Sequence, residues 1–233
     1  MRLRLLAIAG IILFFLIYTV PPGAAEELVQ SAPLVLFGIQ STNVHSLDRV
    51  MPTRALRSWR TVLYRHEKNN AFAFGNYSMS NLVRKQWETL AARFPSMSPV
   101  QQLQAINAFF NHLPGESARI GYGKEYWAYP AKFLSRYRGD CKAYAAAKFL
   151  ALRHLGWPED KLWLVSVYNL PRKEAHAVVA AQWDGQVFIL DNLSRPKDLI
   201  VPHEKQASIY HPMKAFNERT VWVFPSGPYG KRP

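Results

Sequence analysis

Cys141 is the only cysteine in the chain, and it opens a run of strong helix formers, residues 141–155, that Gly156 closes. Gly139-Asp140 stands immediately ahead of it. A sulfur at a helix N-terminus meets unpaired backbone N–H groups and the positive end of the macrodipole, which favour a negative charge there, as a sulfur nucleophile requires. A histidine near the start of one strand, His176, and an aspartate at the end of the next, Asp191, complete a Cys-His-Asp set. The chemistry of such a set is covalent thiol catalysis: sulfur attacks, imidazole moves the proton, carboxylate orients the imidazole.

Two strands must bring His and Asp together. Residues 162–168 read as one strand; residues 176–183 and 186–191 read as a hairpin closed by Asp184-Gly185, a dipeptide suited to a two-residue turn. If Trp183 pairs with Gln186, Asp191 falls opposite Val178, and His176 lies two residues along on the same face. Such diagonal neighbours have Cα atoms about 7–8 Å apart, within reach of a carboxylate–imidazole bond, whereas a slip of one residue sends them to opposite faces. Each residue also has a quieter explanation. A lone cysteine can be a small buried hydrophobe, His176 a core histidine, Asp191-Asn192 a turn, and Asp140 the N-cap of the cysteine's helix. The remaining histidines, 45, 66, 112, 154, 203 and 211, have no strand-paired carboxylate in register.

The rest of the chain supplies a core. A short strand is expected at residues 34–37 and a helix at 55–65. Asn69, Asn70, Gly75 and Asn76 mark a loop. The stripe Leu82, Val83, Trp87, Leu90 and Ala91 gives a helix over 81–94 that Pro95 ends. Ser98-Pro99 with Gln101 forms a capping box that starts a helix carrying Leu103, Ile106, Phe109 and Phe110. After Asp191, strands are expected at 198–201 and 221–224. Helices first and strands after give an α+β fold, with an antiparallel sheet packed on the helix of Cys141.

At the N-terminus, Met1-Arg-Leu-Arg precedes sixteen uncharged, mostly apolar residues, 5–20, and then Pro-Pro-Gly-Ala-Ala. This is the pattern of an export signal over residues 1–25, either cleaved or kept as an N-terminal membrane anchor; both place the domain outside the cytoplasm, in the periplasm. In an exported chain a single cysteine forms no internal disulfide, so a free thiol is what needs a function. Residues 26–225 suit one domain with a substantial core, and 226–233 read as a disordered tail. The chain is basic, with 29 Lys and Arg against 16 Asp and Glu, yet the basic residues are scattered and no zinc spacing, basic helix or RNA-binding signature is present. Export and pattern together exclude nucleic acid as the partner and leave a solvated basic surface.

Tyr126-Trp127, Phe133-Leu134, Arg138-Gly139-Asp140-Cys141 and Tyr144-Ala145, followed by Ala175-His176 and 190–193, resemble the bacterial transglutaminase-like cysteine peptidases. The resemblance is close over residues 120–195. It implies a papain-like/transglutaminase-like fold, Cys141 as nucleophile, His176 as base, Asp191 as orienting acid, and Trp127 as a wall of the substrate cleft. It further implies a large surface adhesin as substrate and an inner-membrane regulatory receptor as partner. Family members follow the cysteine with acidic residues that, with the preceding aspartate, help bind calcium. Here Asp140 is kept as a calcium-ligand candidate, but Lys142 and Ala143 stand in the other places, and an ammonium repels a hard cation that needs several oxygens. No cofactor is therefore expected to be required.

Four functions use these features. The leading one is an exported cysteine endopeptidase acting on a protein substrate. The others are an acyltransferase or amidase on cell-wall peptides with the same triad, a non-catalytic binding module, and a calcium-gated regulator, the last weakened by Lys142.

Overall fold

A computed structural model describes residues 32–48, 54–73, 80–115 and 126–227. The export segment read at 1–25, Gly75 and Asn76 of the expected loop, and residues 228–233 of the expected tail lie outside the described residues. Five α-helices run through the described chain: α1 (Arg54–Lys68), α2 (Asn81–Arg93), α3 (Pro99–Asn111), α4 (Pro130–Arg136) and α5 (Cys141–His154). The strands are β1 (Val35–Leu36), β2 (Ile39–Gln40), β3 (Asn43–Ser46), β4 (Leu162–Asn169), β5 (Glu174–Trp183), β6 (Gln186–Leu190), β7 (Ile200–Pro202), β8 (Tyr210–Phe216) and β9 (Thr220–Val223). Seven of them form one antiparallel sheet in the order β3-β9-β8-β4-β5-β6-β7. The expected α+β plan is the one found.

One face of the sheet packs on the helices. Leu162, Leu164, Ala177, Val179, Ala181 and Phe216 join α5 and the aromatic residues of α1 and α3 in the larger core. Helix α5 is buried nearly all round, and Ala143, Ala145, Ala146, Ala147 and Ala151 keep its surface thin enough to sit close to both the sheet and the other helices. A large side chain fully buried in such a core contributes about 1.5–3 kcal/mol each. The opposite face, with Val165, Val167, Val178 and Ile189, is covered by the hairpin β1–β2 through Leu36 and Phe37. Among the described residues, no helix is long and apolar enough to cross a membrane.

Several expectations change in detail. The strand expected at 34–37 is cut at Leu36, because Phe37 and Gly38 both take positive φ, 54° and 77°, and turn the chain into β2. The Phe37 N–H donates to His203 Nδ1 at 2.8 Å, and its ring meets Tyr210 edge-on, which holds a bulky residue in a conformation it seldom adopts. Leu82 does not join the stripe of α2; it is 64 % exposed. The strand expected at 198–201 begins only at Ile200 and ends at Pro202. Strand β8 was not anticipated, because Pro212 breaks the pattern; the structure accommodates the proline at a bulge, where pairing shifts between Ser166 and Val167. Helix α4 and strand β3 were also unforeseen, both being too short to show a period.

Candidate active site

The Asp-Gly turn forms as expected, with φ of 46° at Asp184 and 73° at Gly185, and Trp183 pairs with Gln186. Asp191 follows directly on the end of β6, whose Leu190 pairs with Val179. The register thus sets Asp191 and His176 as diagonal neighbours, and His176 Nε2 donates to Asp191 Oδ1 at 2.8 Å. The turn reading of Asp191 also holds: the same Oδ1 accepts the Leu193 N–H at 2.9 Å. The carboxylate closes a turn and faces the imidazole at once.

Cys141 is the first residue of α5 and is partly exposed. Asp140 caps the helix, its Oδ1 accepting the N–H groups of Lys142 and Ala143, both at 3.1 Å. The Cys141 N–H is one of the end donors that the helix itself does not use. Gly139 makes the approach possible. A Cβ there would come within 2.6 Å of Phe133 and 2.8 Å of Ala143, so only glycine lets the chain enter α5 this close to α4. The Cys141 side chain lies near enough to His176 to raise the pKa of the imidazole. With Nε2 committed to Asp191, Nδ1 is the nitrogen left to serve the sulfur.

The electrostatics follow from that chain of contacts. Burial acts to lower the pKa of His176, but the hydrogen bonds to Asp191 and Cys141 outweigh it and raise the value to about 9. Burial pushes the Asp191 carboxyl up, yet His176, Tyr210 and the Leu193 N–H hold it below the usual carboxylate range. His176 and Asp191 are buried to within a few per cent, so the pair is screened little by solvent.

Four contributors escaped the sequence reading. Tyr210, from β8, donates its hydroxyl to Asp191 Oδ2 and lies nearly parallel to His176, with ring centroids 5.8 Å apart. Asn169, its cross-strand partner, acts to lower the pKa of the same hydroxyl. Asn111 of α3 donates to the carbonyls of Asp191 at 2.8 Å and Lys197 at 2.9 Å, fixing the loop behind the carboxylate. Lys148, fully buried in α5, donates to Asn107 Oδ1 at 2.6 Å; burial pushes its amine down to about 7, with the Asp191 charge acting the other way. A signal for Asn111, and through Asn107 for Lys148, was present: Asn107 and Asn111 stand four apart on the apolar stripe of α3, where polar side chains need buried partners.

Trp127 is half-buried and packs against the margin of the larger core, as Cys141 does. Its ring meets Trp59 and Phe216, and Phe216 pairs with Leu164, three residues along β4 from Val167, the partner of His176.

Of the residues considered for calcium, Asp140 has its carboxylate engaged by the protein. The Oδ2 atom of Asp140 accepts the Lys142 ammonium at 2.5 Å and its Oδ1 holds two backbone N–H groups, so the carboxylate is fully engaged. Among the described residues no three His, Cys, Asp or Glu side chains converge as metal ligands.

Comparison with known proteins follows the same lines. Residues 79–226 match the profile of the bacterial transglutaminase-like cysteine proteinases. Among solved structures, Legionella pneumophila LapG is similar at 25 % identity with a TM-score of 0.52, over 70 % of this chain and 87 % of that one. Its calcium-bound form gives a TM-score of 0.53, and an EGTA-treated form 0.52, each at 25 % identity over 70 % of this chain and over 87 % and 84 % of theirs. No curated protein matches.

Proposed function

The chain belongs to the bacterial transglutaminase-like cysteine proteinases and is a cysteine peptidase, and from that premise we propose that it is an exported endopeptidase working through Cys141, His176 and Asp191. The buried His176–Asp191 bond at 2.8 Å, with Cys141 at the start of α5 near enough to raise the imidazole's pKa, carries this reading. The sulfur attacks a peptide carbonyl; the Cys141 N–H, at the helix end, donates to the oxyanion as it forms. His176 protonates the departing amine from Nδ1 while Asp191 steadies the imidazolium through Nε2. A water then loses its proton to His176 and opens the thioester, releasing the acid and restoring the sulfur.

Export rests on the basic start and apolar run of residues 1–25. A periplasmic enzyme acting on a surface adhesin, under an inner-membrane receptor, and so bearing on biofilm, is what the family resemblance supports. The test compares proteins released from cells carrying the parent enzyme and Cys141→Ala, by mass spectrometry. Cleaved fragments that appear only with Cys141 intact, each carrying the added water of hydrolysis, support the proposal. Fragments joined to an amine instead of water mark acyl transfer, and release independent of Cys141 removes the nucleophile.

A further inference from the structure

Asp191 Oδ1 already serves two donors, the His176 Nε2–H at 2.8 Å and the Leu193 N–H at 2.9 Å. A carboxylate held through one oxygen still rotates about its own axis and can present either oxygen to the imidazole. Tyr210 removes that freedom by donating to Oδ2. Directly across the β4–β8 pair lies Asn169, whose Oδ1 accepts the Arg172 N–H at 3.0 Å. Tyr210 and Asn169 are 3 % and 4 % exposed, so this row is out of solvent along its length. The tyrosine ring also backs the imidazole, tilted only 18° from it.

We infer that Tyr210 is a positioning residue of this site, holding Asp191 by hydroxyl and His176 by ring so that the imidazole keeps one tautomer and one orientation toward Cys141. The inference rests on the triad reading above and adds a fourth side chain, with Asn169 behind it. Burial and the Asp191 charge push ionisation of the Tyr210 phenol well above its ordinary range, so the hydroxyl keeps the proton it donates. Tyr210 touches no reacting atom; it acts through Asp191.

The test is a double-mutant cycle on the full chain with Tyr210→Phe and Asp191→Asn, using the substrate found in the Cys141 comparison. Tyr210→Phe keeps the ring and deletes one charge-assisted hydrogen bond, for which roughly a 10- to 100-fold fall in kcat with KM within twofold is expected. In the Asp191→Asn background the same change should cost no further rate, because the charge that the hydroxyl orients is gone. Proton NMR gives a substrate-free reading: the His176 Nε2 proton, in a bridging resonance in the parent, should shift and broaden in Tyr210→Phe. Asn169→Ala, which leaves Tyr210 in place, should give a smaller change of the same kind. An equal rate loss in both backgrounds, or an unmoved bridging proton with unchanged kcat, overturns the inference. If Asp191→Asn alone leaves turnover intact, the triad reading fails instead.

Discussion

Lys142 and Asp140 flank Cys141 and form an ion pair at 2.5 Å, with the carboxylate 3 % and the ammonium 14 % exposed. The cation that a carboxylate beside the nucleophile would otherwise recruit is supplied by the chain itself. Calcium needs six or more oxygens, and here one carboxylate is saturated by protein donors. Activity is therefore expected to survive a calcium chelator, and titration calorimetry should detect no micromolar calcium binding. Lys142→Glu with Ala143→Asp should raise calcium affinity, since it exchanges a repelling ammonium for two hard ligands. Full inhibition of the parent by chelator would show that other carboxylates complete a site.

Asp191→Asn keeps the shape of the loop but exchanges a charged acceptor for an amide. Turnover should fall by about 10²–10⁴, while stability falls by no more than the His176 pairing supplies, since the Asn111 bond to the Asp191 carbonyl is untouched. Steady-state kinetics beside a thermal melt checks this. A variant within twofold of the parent would leave His176 without need of the carboxylate.

Stability should respond to pH in two opposite ways. His176 is raised from 6.5 to about 9, so its pairing stabilises fully below pH 6.5 and that stabilisation is lost as pH rises through 9. Its size is on the order of 3 kcal/mol. Denaturant titrations should show the parent losing stability relative to His176→Gln between pH 6 and pH 10. Lys148 is lowered from 10.5 to about 7, so the cost of its burial is full below pH 7 and disappears as pH rises toward 10.5. Lys148→Met should accordingly gain most over the parent at pH 6 and least at pH 10, and a gain that does not change with pH would contradict the buried amine.

Gly139→Ala places a methyl against Phe133 and Ala143 and must push the loop off α4 or shift the first turn of α5. A loss of about 1–3 kcal/mol in unfolding free energy is expected, as in other overpacked sites. Turnover should drop more than stability alone explains, because the shift moves Cys141 relative to His176. Kinetics at a temperature where the variant is fully folded separates the two effects.

What lay in the sequence was whatever short-range geometry dictates. A helix starting at Cys141 follows from Asp140 as N-cap and from the alanine-rich run behind it. The meeting of His176 and Asp191 follows from one Asp-Gly turn, because in a hairpin two residues of turn chemistry set every later pair. The tertiary structure alone decided the surroundings of that pair. Tyr210 comes from a strand that a proline hid, and it reaches Asp191 only because β8 pairs with β4 around a bulge. Asn111 and Lys148 reach the same region from two helices whose spacing in sequence says nothing about their contact. Trp127 meets the rings of Trp59 and Phe216, contacts that its place in the sequence does not disclose. Local rules set which residues begin and end elements; which side chains then share a buried charge depends on contacts 19 to 80 residues apart, and those exist only once the sheet and helices have closed on each other.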